Sequence, residues 1–200
     1  MVLVCRGTKA PKTINFLEYI ESSGEQWIDT DVYTNQDSKI FIDATILLVN
    51  DSEVGGYVCG SSNTSGAGGH EIYTYDVDIR ARFGMEDYFF GKNFSPGDRV
   101  DLRFIGRDFT VSKNGVVLYS TRFNQTTFTS DTTLKLFRLA REQWMGKVRI
   151  HSCEIYDGDS LIRSYLPCID DAGNVSLYDS VSGTFVYNSG SGQFIAGPEV

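Results

Sequence analysis

Histidine is scarce in this 200-residue chain, which holds only His70 and His151. With no G-x-S-x-G elbow either, a Ser-His-Asp hydrolase has no support. No Cys-x-x-Cys pair occurs, so a zinc or redox centre has no basis in the spacing. Positive charge is also short: 18 Lys and Arg stand against 26 Asp and Glu, for a net charge of −8. That balance excludes the clustered basic footprint of a nucleic-acid binder and the attraction of a polybasic surface to anionic lipid. No run approaches the roughly 18 apolar residues of a membrane span. The first residues are apolar only as far as Cys5, with Arg6, Lys9 and Lys12 close behind, so no export signal is expected. Gly66-Ala67-Gly68-Gly69 lacks the Lys and the strand-to-helix setting of a phosphate loop. No window of ten residues shows a 3.6 period, so helix is expected to be nearly absent.

Turns and alternating strands are abundant. Asp157-Gly158 and Asn114-Gly115 sit between β-rich runs and predict two hairpins. Gly173-Asn174, Ser182-Gly183 and Ser189-Gly190 punctuate segments too short for helices. Ile40, Ile42, Ala44 and Ile46 share one face of a long β-branched strand. Val77, Ile79, Ala81 and Phe83 are expected to face a core, with Asp78, Arg80 and Arg82 outward. Val100, Leu102 and Phe104 repeat the pattern. Further strands are expected over residues 16–20, 27–32, 54–59, 71–75, 116–120, 133–140 and 147–156, with residues 123–133 a Thr-rich connection. Residues 60–70, GSSNTSGAGGH, read as a loop that leaves His70 exposed, while His151 reads as a structural histidine within a strand. Cys5, Cys59, Cys153 and Cys168 are expected to be reduced thiols, since the chain is long enough to bury a core without staples.

The two ends carry a pattern. Leu17-Glu18-Tyr19-Ile20-Glu21-Ser22-Ser23-Gly24-Glu25-Gln26-Trp27-Ile28-Asp29-Thr30 opens it. The close is a D-G turn, L-P-C, then G-x-V-x-L-Y-D-x-V-x-G-x-F-x-x-N-x-G-x-G-x-F over 173–194. Both resemble the start and end of the concanavalin-A-like (laminin-G/lectin-type) sandwich family, common in phage structural proteins and in surface proteins of gut bacteria. The resemblance implies an all-β fold: a two-sheet antiparallel jelly-roll sandwich over residues 16–200, first and last strands side by side, preceded by an arm at residues 1–15. It also implies a virion or a bacterial cell surface as the location.

Chemistry is sparser. Glycosidases on such a sandwich need facing carboxylates at a set separation, and neither E-x-D-x-E nor E-x-D-x-x-E occurs. Glu71, Asp76 and Asp78 are the nearest approach, and a regular strand puts Glu71 and Asp76 on opposite faces. Calcium needs six to eight hard oxygens. Asp29/Asp31, Asp76/Asp78, Asp157/Asp159 and Asp170/Asp171 are the available pairs, and none ranks first. Sugar binding suits the composition better, because apolar sugar faces stack on Tyr and Trp while amides and backbone groups bond the hydroxyls. Tyr73 and Tyr75, sharing a face after the glycine-rich loop, are the preferred platform. Trp144 in its polar loop and Asn63 complete the candidate ligand set. The expected function is non-catalytic recognition of surface glycan by a virion-associated module, with no cofactor beyond calcium. The arm would contact other virion proteins, and repetition of the chain as a homo-oligomer is a further expectation. A purely structural virion role and a glycoside hydrolase are the alternatives.

Overall fold

The computed structural model describes residues 14–47, 54–63, 68–75, 78–91, 94–139 and 145–200. Among them there is no helix, and seventeen strands form two antiparallel sheets. The larger sheet runs, in spatial order, β11 (Val116–Arg122), β10 (Asp108–Lys113), β9 (Asp98–Ile105), β4 (Ser38–Ile46), β13 (Val148–Asp157), β14 (Ser160–Ile169), β15 (Val175–Asp179) and β16 (Thr184–Val186). Three short strands flank this path: β1 (Asn15–Phe16) pairs with β14, and β2 (Ile20–Glu21) pairs with both β13 and β17 (Ile195–Ala196). The smaller sheet runs β3 (Ile28–Asn35), β12 (Thr129–Leu136), β5 (Val54–Gly60), β6 (His70–Tyr75), β7 (Asp78–Phe83) and β8 (Glu86–Phe89). The architecture is the expected all-β sandwich of jelly-roll type.

Alternation builds the core. Ile40, Ile42, Ala44 and Ile46 of β4 and Val100, Leu102 and Phe104 of β9 are all buried, facing Ile72, Ile79, Ala81, Phe83, Leu134 and Leu136 from the other sheet. Each of the Ile, Val, Leu and Phe side chains contributes roughly 1.5–3 kcal/mol by leaving water. On β13 the buried positions shift from even numbers (Val148, Ile150) to odd (Cys153, Ile155). A β-bulge between Ile150 and Ser152 makes the change, keeping both halves of the strand pointed at the core.

The termini meet as expected: Ile195 lies opposite Glu21, Ala196 opposite Ile20, and Leu17 bridges to Glu199. Of the residues assigned to the arm, 1–13 lie outside the described residues, and Asn15 already pairs with Ile169. The Asn114-Gly115 hairpin forms as predicted, with Lys113 opposite Val116 and φ positive at both central residues, 53° and 75°. The other hairpin closes one residue later than its Asp-Gly signal: Asp157 pairs with Ser160, and Gly158 (φ 58°) leads the turn.

Three expectations need correction. Residues 123–133 are not all connection, because β12 starts at Thr129 and pairs with β3 from Asn35 onward. Threonine is a good strand residue, and Thr129 and Thr133 pair with Asn35 and Tyr33 of β3 rather than forming a loop. His70 is not exposed. It opens β6, is 0% exposed, and sits among Phe83, Phe104 and Phe128 at 4.7–5.3 Å between ring centroids. Strand alternation puts it on the same face as Ile72. Gly69 makes the close approach possible, since a Cβ there would fall 1.7 Å from the Ser61 carbonyl oxygen. Thirdly, the first strand expected over 16–20 is two short ones, β1 and β2, divided around the Leu17 bridge.

Cys59, Cys153 and Cys168 are free and buried. Burial pushes the Cys153 and Cys168 thiols up from their usual range, as befits inert core residues. His151 is the satisfied structural residue expected of it: Nε2 lies 2.8 Å from Thr45 Oγ1 and Nδ1 2.9 Å from the Glu18 carbonyl.

Candidate functional site

The outer face of the smaller sheet carries a dense polar and aromatic array. On β6 the residues alternating away from the core are Glu71, Tyr73 and Tyr75; on β7 they are Asp78, Arg80 and Arg82; on β8, Asp87 and Phe89. Antiparallel register aligns them into rows. Glu71 lies opposite Arg82 and Arg82 opposite Asp87. Tyr57 lies opposite Tyr73, Tyr73 opposite Arg80, and Arg80 opposite Phe89. Tyr75 lies opposite Asp78.

The first row is a closed network. Arg82 places Nη1 3.2 Å from both Glu71 oxygens and grips Asp87 with Nε at 2.9 Å and Nη2 at 2.6 Å. Tyr73 Oη donates to Asp87 at 3.3 Å and Tyr57 Oη to Glu71 at 3.4 Å. The two tyrosine rings stack at 5.0 Å and 24°. Burial pushes the Glu71 carboxyl above the ordinary carboxylate range, with Arg82 opposing. Burial works against the Arg82 charge too, but Asp87 and Glu71 outweigh it and hold the guanidinium protonated. Burial, reinforced by Asp87, pushes the Tyr73 phenol up to about 12, so it is a hydrogen-bond donor at any physiological pH.

The second row is open to solvent. Arg80 lies flat between two rings, its Cζ 4.0 Å from the Tyr75 centroid and 4.2 Å from the Phe89 centroid. Tyr75 is 37% exposed and Phe89 54%. Tyr88 alternates to the opposite face, its ring against Phe90 and Phe123, and Met85 stands at the β7–β8 turn.

The candidate ligand residues therefore fall in different places. Tyr75 stands on the accessible part of this face. Tyr73 is on the same face but 7% exposed, stacked on Tyr57 and tied to Asp87, so it supports the platform rather than presenting a ring to solvent. Asn63 is half-buried and follows the Gly60 end of β5. Gly60 pairs with Glu71 and Val54 with Tyr75, so Asn63 lies past an end of the row that is itself roughly 13 Å from Tyr75 at strand spacing. Trp144 and Asp76 lie outside the described residues. Arg80, Phe89 and Asp87 were not picked out as site residues from the sequence. Their signal is the alternation E-x-Y-x-Y, D-x-R-x-R, D-x-F across two short hairpin turns.

Of the acids nominated for a hydrolase, Glu71 and Asp78 do not converge. Glu71 sits opposite Arg82, four residues from Asp78 along β7, roughly 13 Å away. Glu71 and Asp87 instead flank a single guanidinium. Of the acids nominated for calcium, Asp29 takes hydrogen bonds from Thr133 and Lys135, Asp159 pairs with Lys39, and Asp170 accepts from Asn174, the Ala172 amide and Tyr187. Among the described residues no cluster of three or more His, Cys, Asp or Glu is close enough to share a metal.

Two further concavities lie among the described residues. One, about 240 Å³, is lined by Asn174, Tyr187, Asn188 and Phe194. Its polar groups are spent internally: Asn174 and Tyr187 on Asp170, Asn188 on the Trp27 and Gly190 amides. The other, about 330 Å³, lies on the outer face of the larger sheet among Phe41, Asp43, Asp101, Arg103 and Glu154.

No protein-family model matches this chain. No curated protein matches it in sequence. Among solved structures, it is similar to a candidate carbohydrate-binding protein from Bacteroides ovatus, with a TM-score of 0.58 and 9% sequence identity. The match covers 96% of this chain and 60% of that protein; the chain thus spans less than two thirds of its neighbour's length. At that identity the likeness establishes the two-sheet β-sandwich.

Proposed function

We propose that this chain is a non-catalytic carbohydrate-binding module whose ligand lies on the outer face of the smaller sheet. The observation that carries the reading is the Tyr75–Arg80–Phe89 ladder. Exposed rings supply apolar faces for the C–H faces of a sugar, and the adjacent guanidinium and carboxylate supply hydroxyl partners. The buried Tyr57–Glu71–Arg82–Asp87–Tyr73 network beneath and beside it holds that ladder in place, so little entropy is lost when a ligand docks. The solved neighbour described as carbohydrate-binding adds support. Glu71 and Asp87 are held by one arginine, which favours a structural use of both acids over a catalytic one.

A single shallow site of this kind binds weakly, and repetition on a particle raises the avidity. The setting we propose is a phage virion, as a tail, fibre or capsid-decorating protein contacting host surface polysaccharide, with residues 1–15 docking on a neighbouring virion protein. That placement rests on the resemblance of the chain's two ends. Calcium remains part of the proposal as an optional cofactor.

The test is a glycan array of the purified chain, run with calcium and with chelator. The expected result is binding to a defined set of glycans that falls about tenfold or more in Tyr75→Ala and in Phe89→Ala, the scale of one lost aromatic stack. A blank at multivalent loading overturns the proposal. A structural virion role has one observation of its own: Val116, Val117 and Leu118 on edge strand β11 are 40–62% exposed, and an apolar sheet edge invites pairing with another chain. That role is supported if the array is blank and Val117→Lys disperses an assembly seen by light scattering.

A further inference from the structure

Arg80 and Asp78 hold the two unspent polar groups of the candidate face. Arg80 Nε and Asp78 Oδ1 are buried with no hydrogen-bond partner, and among the described residues no carboxylate pairs with Arg80. Every other arginine or acid in the rows is committed: Arg82 holds Glu71 and Asp87. Buried polar atoms in folded proteins are overwhelmingly satisfied, so a pair of unsatisfied ones side by side on a face with exposed rings points to a ligand. Asp78 and Arg80 alternate on one strand, putting their side chains on the same side and roughly 6–7 Å apart, a separation one sugar ring spans.

We infer that Arg80 and Asp78 make this face selective for acidic sugars, the sugar carboxylate pairing with the Arg80 guanidinium and a neighbouring hydroxyl donating to the Asp78 carboxylate. The inference rests on the carbohydrate reading above. Two features favour a carboxylate over a neutral hydroxyl pair. The rings of Tyr75 and Phe89 fix the guanidinium plane, which suits the planar, two-pronged match that carboxylates make with arginine. Desolvation between two rings also leaves the cation without the water that would otherwise compete. The net charge of −8 excludes capture of a polyanion by bulk attraction. Retention of one must therefore come from a local contact, which makes the prediction sharp.

The experiment uses the full chain in a titration against polygalacturonate, alginate and sialylated oligosaccharides, each compared with its methyl ester or neutral counterpart. The expected result is binding to at least one free acid, weakened about tenfold or more on esterification and equally by Arg80→Gln, the scale of a charge-assisted bidentate contact. Arg80→Lys keeps the charge but not the fork, and is expected to lose most of the acid preference while melting like the parent. Equal binding of acid and ester, or an unchanged preference in Arg80→Gln, overturns the inference. Binding confined to neutral glycans overturns it while leaving the carbohydrate reading intact. Binding to no glycan of either kind removes both.

Discussion

Arg82→Met is expected to destabilise the fold by about 3 kcal/mol or more, because it strands a carboxylate that has almost no access to water. The Glu71 side chain is 3% exposed, against 28% for Arg82 and 27% for Asp87. Asp87 can turn to solvent when the guanidinium goes; Glu71 cannot. Its remaining donor is Tyr57 at 3.4 Å, a long contact for a buried charge. Burial already raises the Glu71 carboxyl, and Arg82 is the main group holding it down, so the variant's carboxyl rises further. The sign follows from that. An acid whose folded pKa exceeds its unfolded value binds more protons when folded, so its penalty grows as pH rises through the interval between the two. Urea melts of the variant should therefore show a larger deficit at pH 7 than at pH 5. Adding Glu71→Gln should recover at least half of the pH 7 loss. A single variant within about 0.5 kcal/mol of the parent would mean that the network carries no weight. Loss of glycan binding is expected to accompany the destabilisation, since Tyr73 Oη and the ladder beside it lean on Asp87 and Arg82.

His70 gives the second large effect. Burial pushes its imidazole down to about 3 from 6.5, and neither ring nitrogen has a hydrogen-bond partner among the described residues. The unfolded chain therefore takes up a proton near pH 6.5 that the folded chain refuses until about pH 3. Stability is whole above the upper value, falls as pH drops through the window, and levels off below it, with a slope of up to about 1.4 kcal/mol per pH unit. His151 is also lowered, by burial and by Arg99, so the parent's profile carries both. His70→Leu isolates one of them. Leucine is close in size, ends the desolvation of two unpaired nitrogens, and suits a pocket of Phe83, Phe104 and Phe128. The expected outcome is a gain of about 1–3 kcal/mol at pH 7 and a distinctly flatter profile between pH 6.5 and 4.5. A loss of stability at pH 7 would show that the imidazole makes a contact the pocket depends on.

The same histidine shows where sequence reading stops. The loop composition of residues 60–70 argued for exposure. The alternation of β6 argued the opposite, since any strand that turns Tyr73 and Tyr75 outward turns His70, Ile72 and Thr74 inward. Alternation prevailed because a strand has only two faces. Where a strand is bounded by strong turn signals, as at Asn114-Gly115, its extent was legible; where threonines precede an apolar run, as at Thr129–Thr133, it was not, because threonine serves loops and strands alike. Tyr75 was legible as a face residue. Its partners were not, because pairing Arg80 with Phe89 and Arg82 with Asp87 depends on the β6–β7–β8 register, which rests on two turns and not on any motif. The burial of Tyr73 likewise depends on Tyr57 arriving from β5 to cover it.

The central claim is that the outer face of the smaller sheet is the ligand surface, and a backbone-amide NMR shift map of the chain titrated with its best glycan tests it most directly. The account predicts perturbations gathered on Tyr75, Asp78, Arg80 and Phe89, with the Tyr57 and Tyr73 amides moving less. Perturbations gathered instead on Asn174, Tyr187 and Asn188, or on the Phe41–Arg103–Glu154 groove of the larger sheet, would contradict it.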